Sequence, residues 1–438
     1  MRICVYLHLF PPEHNAGSET TVHAAMRAMV NRGHEVRVIC DKSQTAPYVV
    51  DGIQVLRPPR RNQQAWLQAE IRWGDILITH LDVTSQAMGI ARTVNIPLVH
   101  FVHNSAQLDY WHVKEKAYDG ESNWAASCRL VIFNSDWIAE LAEWPGDQIV
   151  LHPVVEPHHY QCETGESVTL VNPTSGKGAA VFYDLAREMP DVKFVTAQGG
   201  YGVQVKCPSV GREDERQFHS FYDASGMEQA CRGLPNVTHL KNDPDIRNVF
   251  RRTRVLLMPS DYESYGRVGI EAACAGIPTI AHPTPGLKEA FGDAAIFCDR
   301  NDVQAWKDQL ERLLEDETYY KRWSNRGLEL AGSLTPESEF DRLEMALINT
   351  KTLWEGRQGD MKVWTSQHRW YKTVAGNLTT DRNEANGGSL AATVGMQLPE
   401  DEAKAKGLWQ AQEQMQSKMV AGPEENKAIK SPRKTKAA

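Results

Sequence analysis

Short apolar runs and stretches of helical spacing alternate along most of this chain. Runs at 2–7, 35–40, 53–56, 75–79, 97–103, 130–134 and 149–152 predict strands, and 18–32, 62–73, 83–94 and 136–144 repeat apolar residues at the spacing of an amphipathic helix. A second series follows: strand 167–171, helix 178–189, strands 192–196, 237–240 and 254–258, a helix opening at Gly266, then strands 277–281 and 295–298. Alternation of this kind predicts parallel, doubly wound α/β sheets, one from each series.

The irregular segment VVEPHHYQCETGE separates the two series. The reading is therefore an N-terminal domain at 1–153, a linker at 154–166 and a second domain at 167–334. Helical patterns at 303–315, 318–331 and 335–354 close the regular part, the last belonging to a C-terminal helix at 335–358. Alternation is lost beyond it. The tail, 359–438, has an Asn-Gly-Gly stretch, an acidic run and a basic end, and reads as largely disordered.

Composition narrows the class without naming it. The chain has 438 residues, 41% hydrophobic and 24% charged, as in water-soluble globular proteins. A net charge of -8 argues against general affinity for nucleic acid. No apolar run approaches the roughly 20 residues that span a bilayer. The opening MRICVYLHLFPPE reads as a first strand, not as a leader. The eight cysteines show no C-x-x-C pairing, which fits buried thiols in a reducing cytoplasm.

The most informative stretch is MPSDYESYGRVGIEAACAGIPTI, from Met258 to Ile280. A strand ends in a Pro-Ser turn, Glu263 lies in the loop, Gly266 opens a helix, and Glu271 follows inside it. A helix N-terminus favours phosphate through unpaired N–H groups and the helix dipole. A carboxylate accepts paired hydrogen bonds from a sugar diol. Together these suit a phosphorylated, hydroxyl-rich ligand.

This Glu-x7-Glu spacing, with PS-x-x-E-x-Y-G and E-A-x-A-x-G-x-P, resembles the signature of retaining GT-B glycosyltransferases of the family-4 type, the glycosyl transferases group 1. The resemblance covers about residues 1–355 and implies two Rossmann-like domains facing across a cleft, with the last helix crossing back to the N-terminal domain. It implies a hexosyltransferase that moves a sugar from a nucleotide diphosphate sugar to a hydroxyl acceptor by a same-face, internal-return route. No metal or other cofactor is expected.

Residue roles follow by position. Glu271 matches the glutamate that binds the donor ribose, and Glu263 the one nearer the sugar and phosphate. Lys177, in Asn172-Pro-Thr-Ser-Gly-Lys-Gly178, matches the phosphate-binding lysine; the arginine usual a few residues earlier is missing, so either Lys177 bears more of the charge or Arg267 compensates. Tyr265, Gly266 and Arg267 offer N–H groups and a cation at a helix start. Ala16-Gly17-Ser18-Glu19 resembles the Gly-Gly-x-Glu loop that closes over the donor phosphate, with Ser18 as expected helix cap. Gly286 and Leu287 stand in a Pro-rich turn like the family's Gly-Gly-x-x-Glu segment, with Pro285 in place of the first glycine. His103, at a strand's carboxyl end, occupies the place of a histidine near the donor sugar; His100 reads as a strand residue.

Asp82, Asn104 and Tyr110 are weaker acceptor-side candidates, and His8 and His14 flank the first loop. His158-His159 lacks a cysteine or acid at ligand spacing, so no metal is expected there. Base contacts are expected around 241–243. Alanine at Lys177 or Glu271 is expected to abolish transfer and nucleotide binding with the fold intact. The acceptor stays open among glycan, protein, lipid and modified nucleic acid. Two other readings stay open too: a nucleotide-sugar epimerase of GT-B fold, and a non-catalytic sugar- or partner-binding protein. The departures at Asn172, Ala16 and Pro285 sustain the second.

Overall fold

The computed structural model describes residues 1–110, 128–144, 146–200, 204–205, 217–218, 230–231, 234–364, 370–372, 378–379 and 393–394. The first sheet holds β1 (Arg2–Leu7), β2 (Glu35–Cys40), β3 (Tyr48–Val50), β4 (Ile53–Leu56), β5 (Ile76–His80), β6 (Leu98–Val102), β7 (Cys128–Phe133) and β8 (Gln148–Val150). Their order is β3-β4-β2-β1-β5-β6-β7-β8, parallel except for the edge strand β3. The helices α1 (Gly17–Asn31), α2 (Gln63–Arg72), α3 (Thr84–Val94) and α4 (Asp136–Ala142) make its crossovers. Helices on both faces explain the unbroken apolar strands: Ile3, Val5 and Leu7 of β1 are completely buried.

The second sheet repeats the plan with β9 (Ser167–Val171), β10 (Phe194–Ala197), β13 (Ala230–Cys231), β14 (Leu234–Leu240), β15 (Thr253–Met258), β16 (Thr279–Ala281) and β17 (Ile296–Phe297). The order is β13-β14-β10-β9-β15-β16-β17, with only β13 antiparallel. A small pair, β11 (Gln204–Val205) with β12 (Gln217–Phe218), lies outside it. Around the sheet run α5 (Ala179–Glu188), α6 (Arg247–Phe250), α7 (Arg267–Cys274), α8 (Pro285–Phe291), α9 (Val303–Glu315) and α10 (Glu317–Ser333). Trp306 of α9, fully buried, anchors this core among Phe182, Phe194, Leu310 and Leu313. Each domain is thus an α/β layer structure with a parallel sheet.

The long helix α11 (Pro336–Trp364) sends Phe340, Leu343 and Leu347 into the core of the first sheet. Its polar face ties to the turn after α1, where Arg32 bonds Glu337, Asp341 and Glu344. The chain divides into two units. Met1–Leu108 with Cys128–Trp354 holds both sheets; Asp109–Ser127 with Glu355–Ala438 is the other. Within the second, where the sequence predicted a largely disordered tail, β18 (Trp370–Lys372), β19 (Leu378–Thr379) and β20 (Thr393–Val394) pair antiparallel. The remaining tail lies outside the described residues. Among the described residues no helix is long and apolar enough to cross a membrane.

The clearest local difference from the sequence reading is α8. Pro283–Glu289 reads as a Pro-rich turn, yet Thr284 caps a helix by accepting from the Leu287 N–H, and Pro285 takes the first helical position. Proline fits there because its missing N–H would be unpaired in any case.

Candidate functional site

Loops leaving the carboxyl ends of β1, β6, β9, β10 and β15 surround a cavity of about 670 Å³ between the two sheets, a size that holds a substrate-sized ligand. Lys177, Glu263, Glu271, Gly17, Tyr265, Gly266, Arg267 and His103 all line it, so residues far apart in sequence meet at one place.

Two charge pairs form its wall. Lys177 Nζ donates to Glu263 Oε1 at 2.5 Å, and Ser260 Oγ donates to the same oxygen at 2.8 Å. The Glu263 carboxylate is thereby held in one orientation, with the lysine over it. Arg267 Nε donates to Glu271 Oε1 at 2.7 Å and its Nη2 to the Tyr160 hydroxyl at 2.8 Å, while Nη1 is buried without a partner among the described residues. The arginine is fully charged, since burial opposes its charge but Tyr160 and Glu271 more than offset that. Its free N–H is an unmet donor in the cavity wall.

Helix starts add to this positive field. The caps of α1 (Ala16), α5 (Gly178) and α7 (Gly266) supply no side-chain cap bond, whereas α8, α9 and α10 are capped by Thr284, Asp302 and Asp316. Ala16–Ser18 and Gly266–Val268 stand in the cavity wall, with their first N–H groups open to a ligand. Ser18 is not the cap expected of it. It lies inside α1, and its hydroxyl donates to Glu19 at 2.7 Å.

Glycine is required where the loops touch. Gly178 has φ +79°, and a Cβ there would lie 2.4 Å from the Pro259 carbonyl oxygen. Gly178→Ala is expected to cost about 2 kcal/mol, from left-handed strain and from displacement of the Lys177 loop. Denaturant unfolding and nucleotide-sugar titration of the variant measure both effects. Asn172, where the reading missed an arginine, adopts φ +61° and accepts from Gln204 Nε2 at 2.6 Å. Asparagine tolerates this backbone better than an arginine would.

Gly286 and Leu287 do not reach the cavity. A Cβ on Gly286 would lie 2.3 Å from the Glu263 carbonyl oxygen, and the Leu287 N–H is taken by Thr284 while its side chain is buried. Their place is beneath the Glu263–Gly266 loop, which they support. Of the weaker candidates, His8 pairs with Asp41 at 2.9 Å, and the Asn104 N–H faces Gln107. Asn242 and Asp243 line the cavity. The side chains of Asp82 and Tyr110 lie outside the described residues. His158 and His159 do have an acid beside them: Glu156, which Arg27 also holds, brings its oxygen within 4.8 Å of both rings. Glu156, two positions before the pair, is the acid that ligand spacing along the chain leaves out.

Several contributors were not singled out by sequence. Tyr160 sits in the segment read as linker and orients Arg267. Asn134, just past β7, lines the cavity and donates to the His103 carbonyl at 2.8 Å. Glu289 of α8 caps α4 across the domains, accepting from the Asp136 and Trp137 N–H groups at 2.7 and 2.9 Å. Trp137 Nε1 then donates to the Ser264 carbonyl at 2.7 Å. Glu289 is the closing glutamate of the segment that resembles Gly-Gly-x-x-Glu, which marks its place in the sequence; its use as another helix's cap is purely tertiary.

His152 completes this bridge. It lies 3.0 Å from Glu289 and 3.6 Å from both Asp136 and Glu339. Burial opposes its charge, but the bonds to Glu289 and Glu339 prevail and raise its pKa to about 9. A folded pKa above the ordinary value of 6.5 means stabilisation present in full below pH 6.5 and lost as pH rises through about 9. It is worth up to about 3 kcal/mol. The stability gap between the native chain and His152→Gln is expected to shrink across that window, as read from unfolding midpoints at the two ends.

Comparison with known proteins bears on the family and the fold. The family model of Glycosyltransferase Family 4 matches residues 16–153, and that of Glycosyl transferases group 1 matches residues 219–330. No curated protein matches the chain. Sucrose-phosphate synthase from Thermosynechococcus elongatus is 16% identical, covering 81% of this chain and 99% of that one at a TM-score of 0.59. The catalytic domain of starch synthase IV from Arabidopsis thaliana, bound to ADP and acarbose, is 13% identical over 80% of this chain and 99% of its own, with a TM-score of 0.60. An α-glucosyltransferase in complex with UDP and a mismatched DNA is 13% identical, with 80% and 100% covered and a TM-score of 0.56. At these identities the likeness to solved structures is one of fold.

Proposed function

This chain belongs to the group 1 glycosyltransferases of GT-B fold, and from that premise we propose that it moves a sugar from a nucleotide diphosphate sugar to a hydroxyl acceptor with retained anomeric configuration. The observation that carries the reading is the meeting of Lys177, Arg267 and the uncapped starts of α1 and α7 with two glutamates in one cavity. Positive groups and open N–H donors receive a diphosphate. Carboxylates receive hydroxyls.

In this reading Glu271 binds the ribose, and Lys177 with the α7 N–H groups stabilises the departing diphosphate. The bond from the anomeric carbon to the phosphate oxygen breaks, and the bond to the acceptor oxygen forms on the same face. The acceptor's proton passes to the departing phosphate oxygen. Glu263, already holding Lys177 and Ser260, acts as an orienting acceptor and not as a nucleophile. Lys177, Arg267 and the helix starts provide the positive charge, so no metal is required.

The neighbours named with UDP and ADP set the choice of donors for a test. A panel of UDP-, ADP- and GDP-sugars is expected to contain one that raises the unfolding temperature, because a ligand of the folded state stabilises it. Product NMR then reads the anomeric configuration. Turnover unchanged by chelator supports metal independence, and its loss overturns it. Sugar isomerisation without an acceptor would favour an epimerase, and binding without any turnover a non-catalytic role.

A further inference from the structure

β5 and β6 run side by side to the cleft, and their ends bring three histidines together behind its wall. His80 ends β5 and His100 lies within β6, both completely buried; His103 follows β6 and lines the cavity at 7% exposure. Nδ1 of His80 is 3.0 Å from Nε2 of His103. The two rings meet edge to face, and Phe101 stacks on the His103 ring at 5.5 Å, so the imidazole is held in plane. The backbone is held too. The His103 N–H donates to Gln107 Oε1 at 2.6 Å, and its carbonyl accepts from Asn134. Burial keeps His80 and His103 well below the ordinary histidine range, so both are neutral with one proton each.

In such a pair one nitrogen donates and the other accepts. An unpartnered atom decides which. Nε2 of His80 is buried and has no partner among the described residues. A proton there would leave an N–H buried without an acceptor, which folded proteins avoid more strictly than a bare lone pair. His80 therefore carries its proton on Nδ1 and donates it to Nε2 of His103. That leaves His103 protonated on Nδ1, the ring nitrogen with no partner among the described residues.

We propose that His80 is a positioning residue that fixes His103 in its Nδ1–H form, so that His103 offers the cleft a hydrogen-bond donor for a sugar oxygen and not a base. The ligand in this statement rests on the transferase reading above; the proton's position does not. It also accords with the departing phosphate, and not His103, taking the acceptor's proton.

The full chain labelled with ¹⁵N-histidine tests this directly. At neutral pH, long-range ¹H–¹⁵N spectra should show His103 with a protonated Nδ1 and a bare Nε2, assigned by the signals lost in His103→Gln. The opposite pattern overturns the proposal. Kinetically, His80→Leu removes the donor and is expected to lower kcat about tenfold, with KM for the nucleotide sugar changed less than about twofold. His80→Asn, whose amide N–H takes the place of Nδ1–H, should recover most of kcat. Equal losses in two folded variants would sink the positioning role. If either variant does not fold, the spectrum of the native chain decides. A native chain that transfers no sugar, yet shows Nδ1-protonated His103, would refute the transferase reading and uphold the tautomer.

Discussion

Replacing Lys177 with methionine is expected to lower turnover of a nucleotide sugar by about 10²–10³-fold, the usual consequence of losing one group aimed at developing negative charge. Two effects combine in this cleft. The cation that would meet the departing diphosphate disappears, and the Glu263 carboxylate, 2.5 Å away in the native chain, loses its partner while remaining in the cavity wall. An unbalanced carboxylate repels phosphate. Lys177→Met/Glu263→Gln should therefore bind donor more tightly than Lys177→Met alone, although it stays slow. Stability should change little, because the lysine side chain is 31% exposed and the pair is bathed by solvent on one side. Steady-state kinetics with unfolding midpoints separate these outcomes. Native turnover in Lys177→Met would remove this residue from the site.

Glu271→Ala carries the second large effect, and it is expected to reach stability as well as activity. Arg267 and Glu271 have side-chain exposures of 13% and 12%, and the arginine already holds one buried donor without a partner among the described residues. Removing the carboxylate leaves a buried guanidinium with Tyr160 as its one hydrogen-bond partner among the described residues, and breaking a buried pair from one side costs about 3–5 kcal/mol. Glu271→Ala should thus lose both donor affinity and a large part of its stability. Glu271→Gln keeps an acceptor for Arg267 Nε. It should fold with a loss of about 1 kcal/mol while binding nucleotide sugar markedly less well. Denaturant unfolding of the two variants, beside donor titration, checks the split. Equal stability in native chain and alanine variant would show that the pair is not structurally coupled.

These two results depend on different kinds of information. Lys177, Glu263 and Glu271 were legible as candidates because each follows an apolar strand in a loop or helix of a recognisable local pattern. Their pairing was not legible. Nothing in the spacing of residue 177 and residue 263 says that the lysine lies on the glutamate, since that contact depends on β9 and β15 being neighbours in the sheet. Arg267–Glu271 was available as a helical i,i+4 pair, yet its burial and the third member, Tyr160, come from the linker folding back on α7.

The departures from the sequence reading have the same origin. Gly286 and Leu287 looked like donor-binding backbone, because a loop after a strand's carboxyl end is where ligands are met. In the structure the segment is a helix start whose N–H is consumed by Thr284 and whose glycine admits the Glu263–Ser264 backbone. Ser18 looked like a cap by residue type, but α1 begins one residue earlier, and its start is left open toward the cavity. His80 carried no signal at all beyond ending an apolar run. Its role arises because the register of β5 and β6 places it beside the residue that follows the next strand.

By itself the sequence determined the two α/β domains, the strands and most helices, and the loops that carry the chemistry, because hydrophobic periodicity and turn residues act over a few positions along the chain. The tertiary structure alone decided which charges neutralise one another, which helix starts stay open, that Glu289 caps a helix of the other domain, and which nitrogen of His103 holds the proton. Apart from the i,i+4 pair Arg267–Glu271, those are contacts between residues tens to hundreds of positions apart. Their energies depend on distance, burial and the partners left over once packing is complete, quantities that exist only after the sheets have formed.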